Sequence, residues 1–316
     1  MKNEVDFSLA RNAPCGVSGF LHPAYAQSLA EFGKPRLLTN CRGWILERPI
    51  PQSPYRDGMG LYPLFCCENW AALPADFSNL ESELVSISLV TDPFGRFSLP
   101  ELLKGFTVVK LFKEHYVADL HRSPESYVSP HHRYYSKKSL KKLHVEKCQQ
   151  PLKHLTEWIE LYGNLISRHN ITGMRAFSLQ CFEGVLEVPG LVMFRATNEE
   201  RTVGALLLYL HGDFGYVFLS AFTDEGYRLR AAYALRWVAI QELAKDSRWL
   251  DMGAGAGLAT GASDGLTTFK RGWASETKPV YFCGQIFDTG KYNEIVAAKG
   301  ISRTDYFPAY RVGEFF

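Results

Sequence analysis

The sequence predicts an α/β protein of two domains, each built on a mixed sheet. Three observations lead there. The chain has 316 residues, 46% of them hydrophobic and 22% charged, which is ordinary globular usage and enough for two cores. The first half is rich in β-branched and aromatic runs cut by Pro, Gly and Asp. The second half runs strand, two helices, three strands joined by short turns, a long helix, then strand, helix and strand. Short turns make antiparallel neighbours and helical crossovers make parallel ones, so both pairings are expected in one sheet.

The elements follow in order. An early helix is expected around His22 to Phe32, then strands at Arg36 to Glu47, Gly60 to Phe65, Leu84 to Val90 and Thr107 to Phe112. Pro49, Pro51, Pro54 and Gly58 mark a loop, and Asp92-Pro93-Phe94-Gly95 marks a turn. A further strand is expected around Tyr116 to Leu120. From His131 to Lys147 the composition shifts to six Lys or Arg against one Glu, and the domain division is placed there: residues 1–130 and 131–316. Lys137 with Lys141, and Lys138 with Lys142, have the i,i+4 spacing of one helix face. That face either is simply solvated or attracts an anionic substrate.

After it come a strand at His144 to Cys148, a helix at Leu152 to Arg168 behind Pro151, and a helix at Ala176 to Leu186. Strands at Leu191 to Ala196, Val203 to Leu210 and Tyr216 to Phe222 are separated by Asn198-Glu199-Glu200 and by Gly212-Asp213, a meander. A long amphipathic helix is expected at Tyr227 to Ala244, a strand at Trp249 to Met252, a helix at Thr267 to Trp273 and a strand at Pro279 to Gly284.

Several function classes are disfavoured by composition. The net charge is +2, so no global field points to nucleic acid. Seven cysteines at irregular spacings suggest reduced thiols in the cytosol rather than a disulfide or metal framework. Cys66 and Cys67 are adjacent, and His131 and His132 are adjacent, so neither pair makes a metal site, and no metal is expected. The N-terminus is polar, without the apolar stretch of a signal peptide. Apolar runs such as Val203 to Leu210 are too short to span a bilayer, so no membrane insertion is expected.

The most informative stretch runs from Trp249 through Gly253-Ala254-Gly255-Ala256-Gly257 to Phe269-Lys270-Arg271-Gly272-Trp273. Its first half resembles the glycine loop of class I methyltransferases, which would bind S-adenosylmethionine. That loop normally opens a doubly wound sheet with an acid at the end of the next strand. Here too little chain follows, and Val280-Tyr281-Phe282-Cys283 ends in Gly284-Gln285 with no acid.

The whole second half instead resembles the GNAT N-acyltransferases in element order. The strand ending in Asp251-Met252-Gly253, the glycine-rich loop and Phe269-Lys270-x-Gly272-Trp273 resemble the Fem-type branch, whose members carry two GNAT-like domains in tandem. The resemblance implies that residues 1–130 are a degenerate GNAT-like copy and 131–316 the acyltransferase domain. It implies amide-forming transfer of an acyl or aminoacyl group from an activated donor to a small-molecule or peptide amine. The alternatives are a binding relative that kept the fold without catalysis, or the methyltransferase.

Fem-type ligases take the amino acid from aminoacyl-tRNA, but no stretch here has the heptads of their coiled-coil arm, which argues against tRNA. No tightly bound cofactor is implied; acyl-CoA is a candidate co-substrate. Acyl-CoA enzymes of the fold carry a glycine loop that holds pyrophosphate before the long helix. Asp224-Glu225-Gly226-Tyr227-Arg228-Leu229-Arg230 has one glycine there, and its two acids are offset by Arg228 and Arg230.

By the same resemblance Lys270 and Phe269 are the candidate catalytic pair, Lys270 stabilising the oxyanion of the tetrahedral intermediate. Asp251 at a strand end, Tyr227, Arg228 and Arg230 before the long helix, His131 in the basic segment and Asp92 at its turn are candidate substrate-binding residues. Plainer roles are open to several of them: Asp251 as a loop cap, Asp92 in an ordinary turn, Lys270 on a solvent face, Phe269 in the core.

Overall fold

The computed structural model describes residues 16–255, 265–301 and 304–314. In chain order the elements begin with α1 (Pro23–Ser28), β1 (Lys34–Leu38), β2 (Gly43–Pro49), β3 (Arg56–Gly60), α2 (Leu73–Leu80), β4 (Ser86–Val90), α3 (Leu99–Gly105) and β5 (Val108–Asp119). There follow α4 (Pro124–Tyr127), α5 (Pro130–Ser139), β6 (His144–Lys147), α6 (Leu155–His169), α7 (Leu179–Glu187), β7 (Leu191–Asn198), β8 (Arg201–His211) and β9 (Phe214–Phe222). The chain continues with α8 (Asp224–Arg228), α9 (Ala231–Leu243), β10 (Trp249–Asp251), α10 (Gly265–Arg271), β11 (Glu276–Ile286) and α11 (Thr289–Ala298).

Packing divides the chain into two units. One comprises Met1–Phe112, Thr172–Phe177 and Val280–Phe316; the other comprises Lys113–Ile171 and Ser178–Pro279. These units of packing differ from the division at 130/131 read from composition, because β5 continues past Phe112 into the second unit and the chain after Val280 packs with the first.

In the first unit β1–β2, β2–β3 and β4–β11 pair antiparallel while β3–β4 is parallel. Its main core gathers Ile45, Phe65, Leu73, Phe77, Ile87, Leu89 and Cys283. In the second unit β5–β10, β9–β8, β8–β7 and β7–β6 are antiparallel and β10–β9 is parallel. Helix α9 buries Ala231, Ala234, Leu235, Ala239, Ile240 and Leu243 in a core with Phe194, Leu206, Leu208, Leu250 and Trp273. The strands of each unit thus mix parallel and antiparallel pairing, as the sequence predicts. Pairing in the second unit is mostly antiparallel and β10 comes late in its chain order, which is the opposite of a methyltransferase loop opening a doubly wound parallel sheet.

Departures from the expected elements have local causes. The strand expected at Arg36 to Glu47 is a hairpin, β1–β2. Buried Asp76 accepts the backbone N–H of Asn40 at 3.0 Å and of Cys41 at 2.8 Å and so folds the turn. The strand expected at Gly60 to Phe65 lies earlier, over Arg56–Gly60. Expected strands at Thr107 to Phe112 and Tyr116 to Leu120 are one strand, β5. The expected long helix from Tyr227 is two helices, because Arg230 takes the left-handed conformation (φ 58°) between them. Helix α5 ends at Ser139, so Lys141 and Lys142 leave it and the four lysines share no helix face.

One buried ionic knot secures the first unit. Asp57 is fully buried and accepts from Arg311 Nε at 2.5 Å and Nη2 at 2.8 Å, with Arg48 Nε 3.5 Å away. Asp57→Ala would leave the two buried guanidiniums of Arg48 and Arg311 to share the more exposed Glu314, at 3.0 and 3.1 Å. It is expected to cost about 3–5 kcal/mol, seen as a lower midpoint in denaturant unfolding; a loss below about 1 kcal/mol would show the knot to be dispensable.

Candidate functional site

The site is built on the end of β10. Leu250 is fully buried in the core, while Asp251, 2% exposed, begins the loop. Its Oδ1 accepts the N–H of Gly253 at 2.7 Å. Gly253 has φ 74°, a backbone conformation that calls for glycine, and its α-carbon lies beside Lys270 Nζ. The other oxygen of Asp251 lies 2.9 Å from Nδ1 of His115, which is 9% exposed on β5. An ionised carboxylate only accepts, so His115 donates from Nδ1 and keeps the lone pair on Nε2. Among the described residues Nε2 has no hydrogen-bond partner.

Arg236 of α9 is 5% exposed and within Coulomb reach of Asp251. Burial lowers its guanidinium to about 10, against the attraction of Asp251. It remains a cation at neutral pH and offsets the charge of the aspartate.

Two ammonium groups hold the loop that follows. Lys270 Nζ donates to the carbonyl of Ala254 at 2.6 Å, and Lys113 Nζ, two residues before His115 on β5, donates to that of Gly255 at 2.7 Å. The rest of the glycine loop, from Ala256 through Gly257 to Asp264, lies outside the described residues. Helix α10 thus brings Lys270 to the loop that Asp251 opens.

Most of the Phe269-Lys270-x-Gly272-Trp273 motif serves to dock α10 on α5. His132 Nε2 donates to the Phe269 carbonyl at 2.9 Å, and Ser129 Oγ donates to His132 Nδ1 at 2.7 Å. Ser129 N–H in turn donates to the Gly272 carbonyl at 2.9 Å. A Cβ on Gly272 would lie 2.1 Å from the His132 ring, so this glycine is a condition of the contact. Burial holds the His132 imidazole below its ordinary value, against the bond to Phe269, and keeps it neutral. The Phe269 ring packs at 5.1 Å from Tyr233 and 5.9 Å from Trp273, which is fully buried. Phe269 is therefore placed as a packing residue and Lys270 as the one whose charge reaches the loop.

The segment before α9 has its own geometry. Thr223 caps α8 by accepting from Gly226 N–H at 3.0 Å, and a Cβ on Gly226 would sit 2.0 Å from the Val203 carbonyl oxygen. Gly226 therefore lets α8 lie against β8. The acids are paired: Asp224 with Arg168 at 3.0 Å, Glu225 with Arg228 at 2.9 Å. Arg168 also stacks on the Tyr227 ring at 4.2 Å, and Asn164, Ser167, Arg168, Phe222, Asp224 and Tyr227 line an open cavity of about 320 Å³. Arg230 stacks on Tyr135 at 3.7 Å.

The remaining candidates lie elsewhere. His131 is exposed on α5, its ring 4.6 Å from that of Tyr135. Asp92 belongs to the first unit and caps its turn by accepting from Phe94 N–H at 2.9 Å. The structure therefore brings together Asp251 and Lys270, and separately Tyr227, Arg228 and Arg230. His115, Arg236 and Lys113 escaped sequence reasoning. The alternation of Lys113, His115 and Val117 was the available signal for the first and last of these.

Known proteins agree with this architecture. Residues 132–271 match the family described as an acetyltransferase (GNAT) domain, a span that opens at His132 and closes at the end of α10. No curated protein matches the chain. Among solved structures, that of FemX superposes with a TM-score of 0.66 at 13% identity, covering 89% of this chain and 96% of its own. The C-terminal domain of a lysylphosphatidylglycerol synthetase from Agrobacterium fabrum superposes with a TM-score of 0.62 at 12% identity over 88% of this chain and 91% of its own. The structure of L-PGS from Bacillus licheniformis gives 0.54 at 12% identity over 92% and 100%. No helix among the described residues is long and apolar enough to cross a membrane. Residues 132–271 therefore match a GNAT acetyltransferase domain, and the fold of the chain is similar to that of FemX.

Proposed function

We propose that the second unit forms an amide by moving an acyl or aminoacyl group from an activated donor to the amine of a small molecule or peptide. One observation carries this reading: the ammonium of Lys270 and the Asp251–His115 pair meet on one short loop, residues 251–255. Aminolysis needs both. The amine must lose a proton as it attacks, and the carbonyl oxygen must gain negative charge.

His115, held as the Nδ1–H tautomer by Asp251, offers Nε2 to the attacking amine. Asp251 acts through His115 as a positioning residue. Lys270 supplies the cation for the oxyanion, exchanging the Ala254 carbonyl for it. Tyr227, Arg228 and Arg230 lie where α8 gives way to α9 and would hold the anionic part of a donor. Acyl-CoA is the donor to test first, because the matched domain is an acetyltransferase one. His131 and Asp92 are left outside this chemistry.

Lys270→Ala is expected to keep the fold and to lower kcat by about 10²–10³, the loss of one oxyanion donor. This is measured with acyl-CoA donors of increasing chain length against a panel of primary amines. A variant with undiminished kcat would remove Lys270 from the mechanism, and a protein that binds donor without turnover would be the non-catalytic relative.

His115→Asn retains a donor for Asp251 but has no base, and should lower kcat by about 10²–10⁴. An undiminished kcat in steady-state kinetics would exclude the base role.

Gly272→Ala separates docking from chemistry. The added methyl must displace His132, at a cost of about 1–3 kcal/mol, whereas Lys270→Ala should change stability by less than about 1 kcal/mol. Thermal melts of the two variants that rank the other way would contradict this division of the motif.

A further inference from the structure

We propose that Glu146, Cys148 and His154 form a zinc site at the edge of the second unit's sheet. Glu146 and Cys148 are two residues apart along and just beyond edge strand β6, so they share one face. A short turn, Pro151–His154, then brings His154 back to that face. One ligand atom from each of the three residues lies within 4.8 Å of the others. A tetrahedral zinc with bonds of 2.0–2.3 Å holds its ligands about 3.3–3.8 Å apart, so closure requires a contraction of roughly 1 Å.

The surroundings favour a divalent cation. Arg195 lies opposite Glu146 on β7 and donates to it at 2.6 Å and to Glu157 at 2.9 Å. One guanidinium thus serves two carboxylates. Glu157 also accepts hydrogen bonds from Thr202 and His154. The cluster carries one net negative charge while the thiol is protonated. Zinc with the Cys148 thiolate would bring it to neutrality.

The donor set selects the metal. Imidazole and thiolate beside one carboxylate suit zinc, while calcium and magnesium prefer all-oxygen sites. Glu157 also accepts from His154 Nδ1 at 3.1 Å. A carboxylate in that position fixes a metal-bound imidazole and leaves its other nitrogen to the ion. Zinc takes the thiolate of Cys148, so binding releases the thiol proton. With Cys148 8% exposed and Glu146 at the sheet edge, the ion can enter from solvent. The sequence hid this site because Glu-x-Cys followed by a histidine six residues on is no recognised ligand spacing.

Cobalt is the probe. The full chain, stripped with chelator and titrated with Co²⁺, should bind one ion per chain with a thiolate-to-cobalt charge-transfer band that Zn²⁺ abolishes. Cys148→Ser should remove the band and Cys66→Ser should leave it. Glu157→Gln should weaken binding by about 10–100-fold. If Cys148→Ser does not fold, His154→Gln, at a more exposed position, should lose the site in its place. Absence of the band at stoichiometric cobalt, its persistence in Cys148→Ser, or its equal loss in Cys66→Ser would overturn the proposal.

Discussion

The contact on which the rest of the candidate site depends is the carboxylate of Asp251 at the end of β10. One oxygen fixes the loop by taking the Gly253 N–H, and the other fixes a histidine by taking Nδ1. A buried charge of this kind is tolerated only when paired and hydrogen-bonded. Arg236 supplies the pairing from α9 and His115 the second bond from β5. Three elements, the consecutive α9 and β10 and the far earlier β5, therefore meet at one side chain, and each contributes something the others need. The loop presents the Ala254 carbonyl to Lys270, and the strand presents an imidazole held through Nδ1.

The motif from Phe269 to Trp273 shows how structure and chemistry share a short sequence. Gly272 exists for the sake of His132, and the Phe269 carbonyl anchors the same ring. Trp273 is buried and closes the core beneath. Lys270 alone points back to the loop of Asp251. A rigid α5–α10 junction then sets where one ammonium sits, which matters because an electrostatic contribution at a reacting oxygen depends on placement to within a fraction of an ångström.

Legibility followed the range of the interactions. The meander β7–β8–β9 and the strand–loop–helix around Asp251 were readable because turn residues and period-two runs are local signals. The kink between α8 and α9 was not, since nothing in Asp224 to Ala232 announces a left-handed Arg230. Helix α3 was readable in principle: Ser98 and Glu101 spell a capping box, and both of its hydrogen bonds form. The partnership of His115 with Asp251 spans 136 residues and has no local signature. Arg236 sits in an apolar helix face, where a single charge reads as an exception rather than as a partner. Family resemblance named Phe269, Lys270 and Asp251; the fold packs the Phe269 ring against Tyr233 and Trp273 and sets Lys270 against the loop that Asp251 opens.

The role of Asp251 can be tested without a substrate. Nitrogen-15 NMR of the imidazole side chains distinguishes the two neutral tautomers of His115. The wild-type protein should show the proton on Nδ1, and Asp251→Asn should disturb that tautomer, since an amide can donate where the carboxylate only accepted. A wild-type His115 protonated at Nε2, or a tautomer indifferent to Asp251→Asn, would contradict the arrangement from which the proposed chemistry is derived.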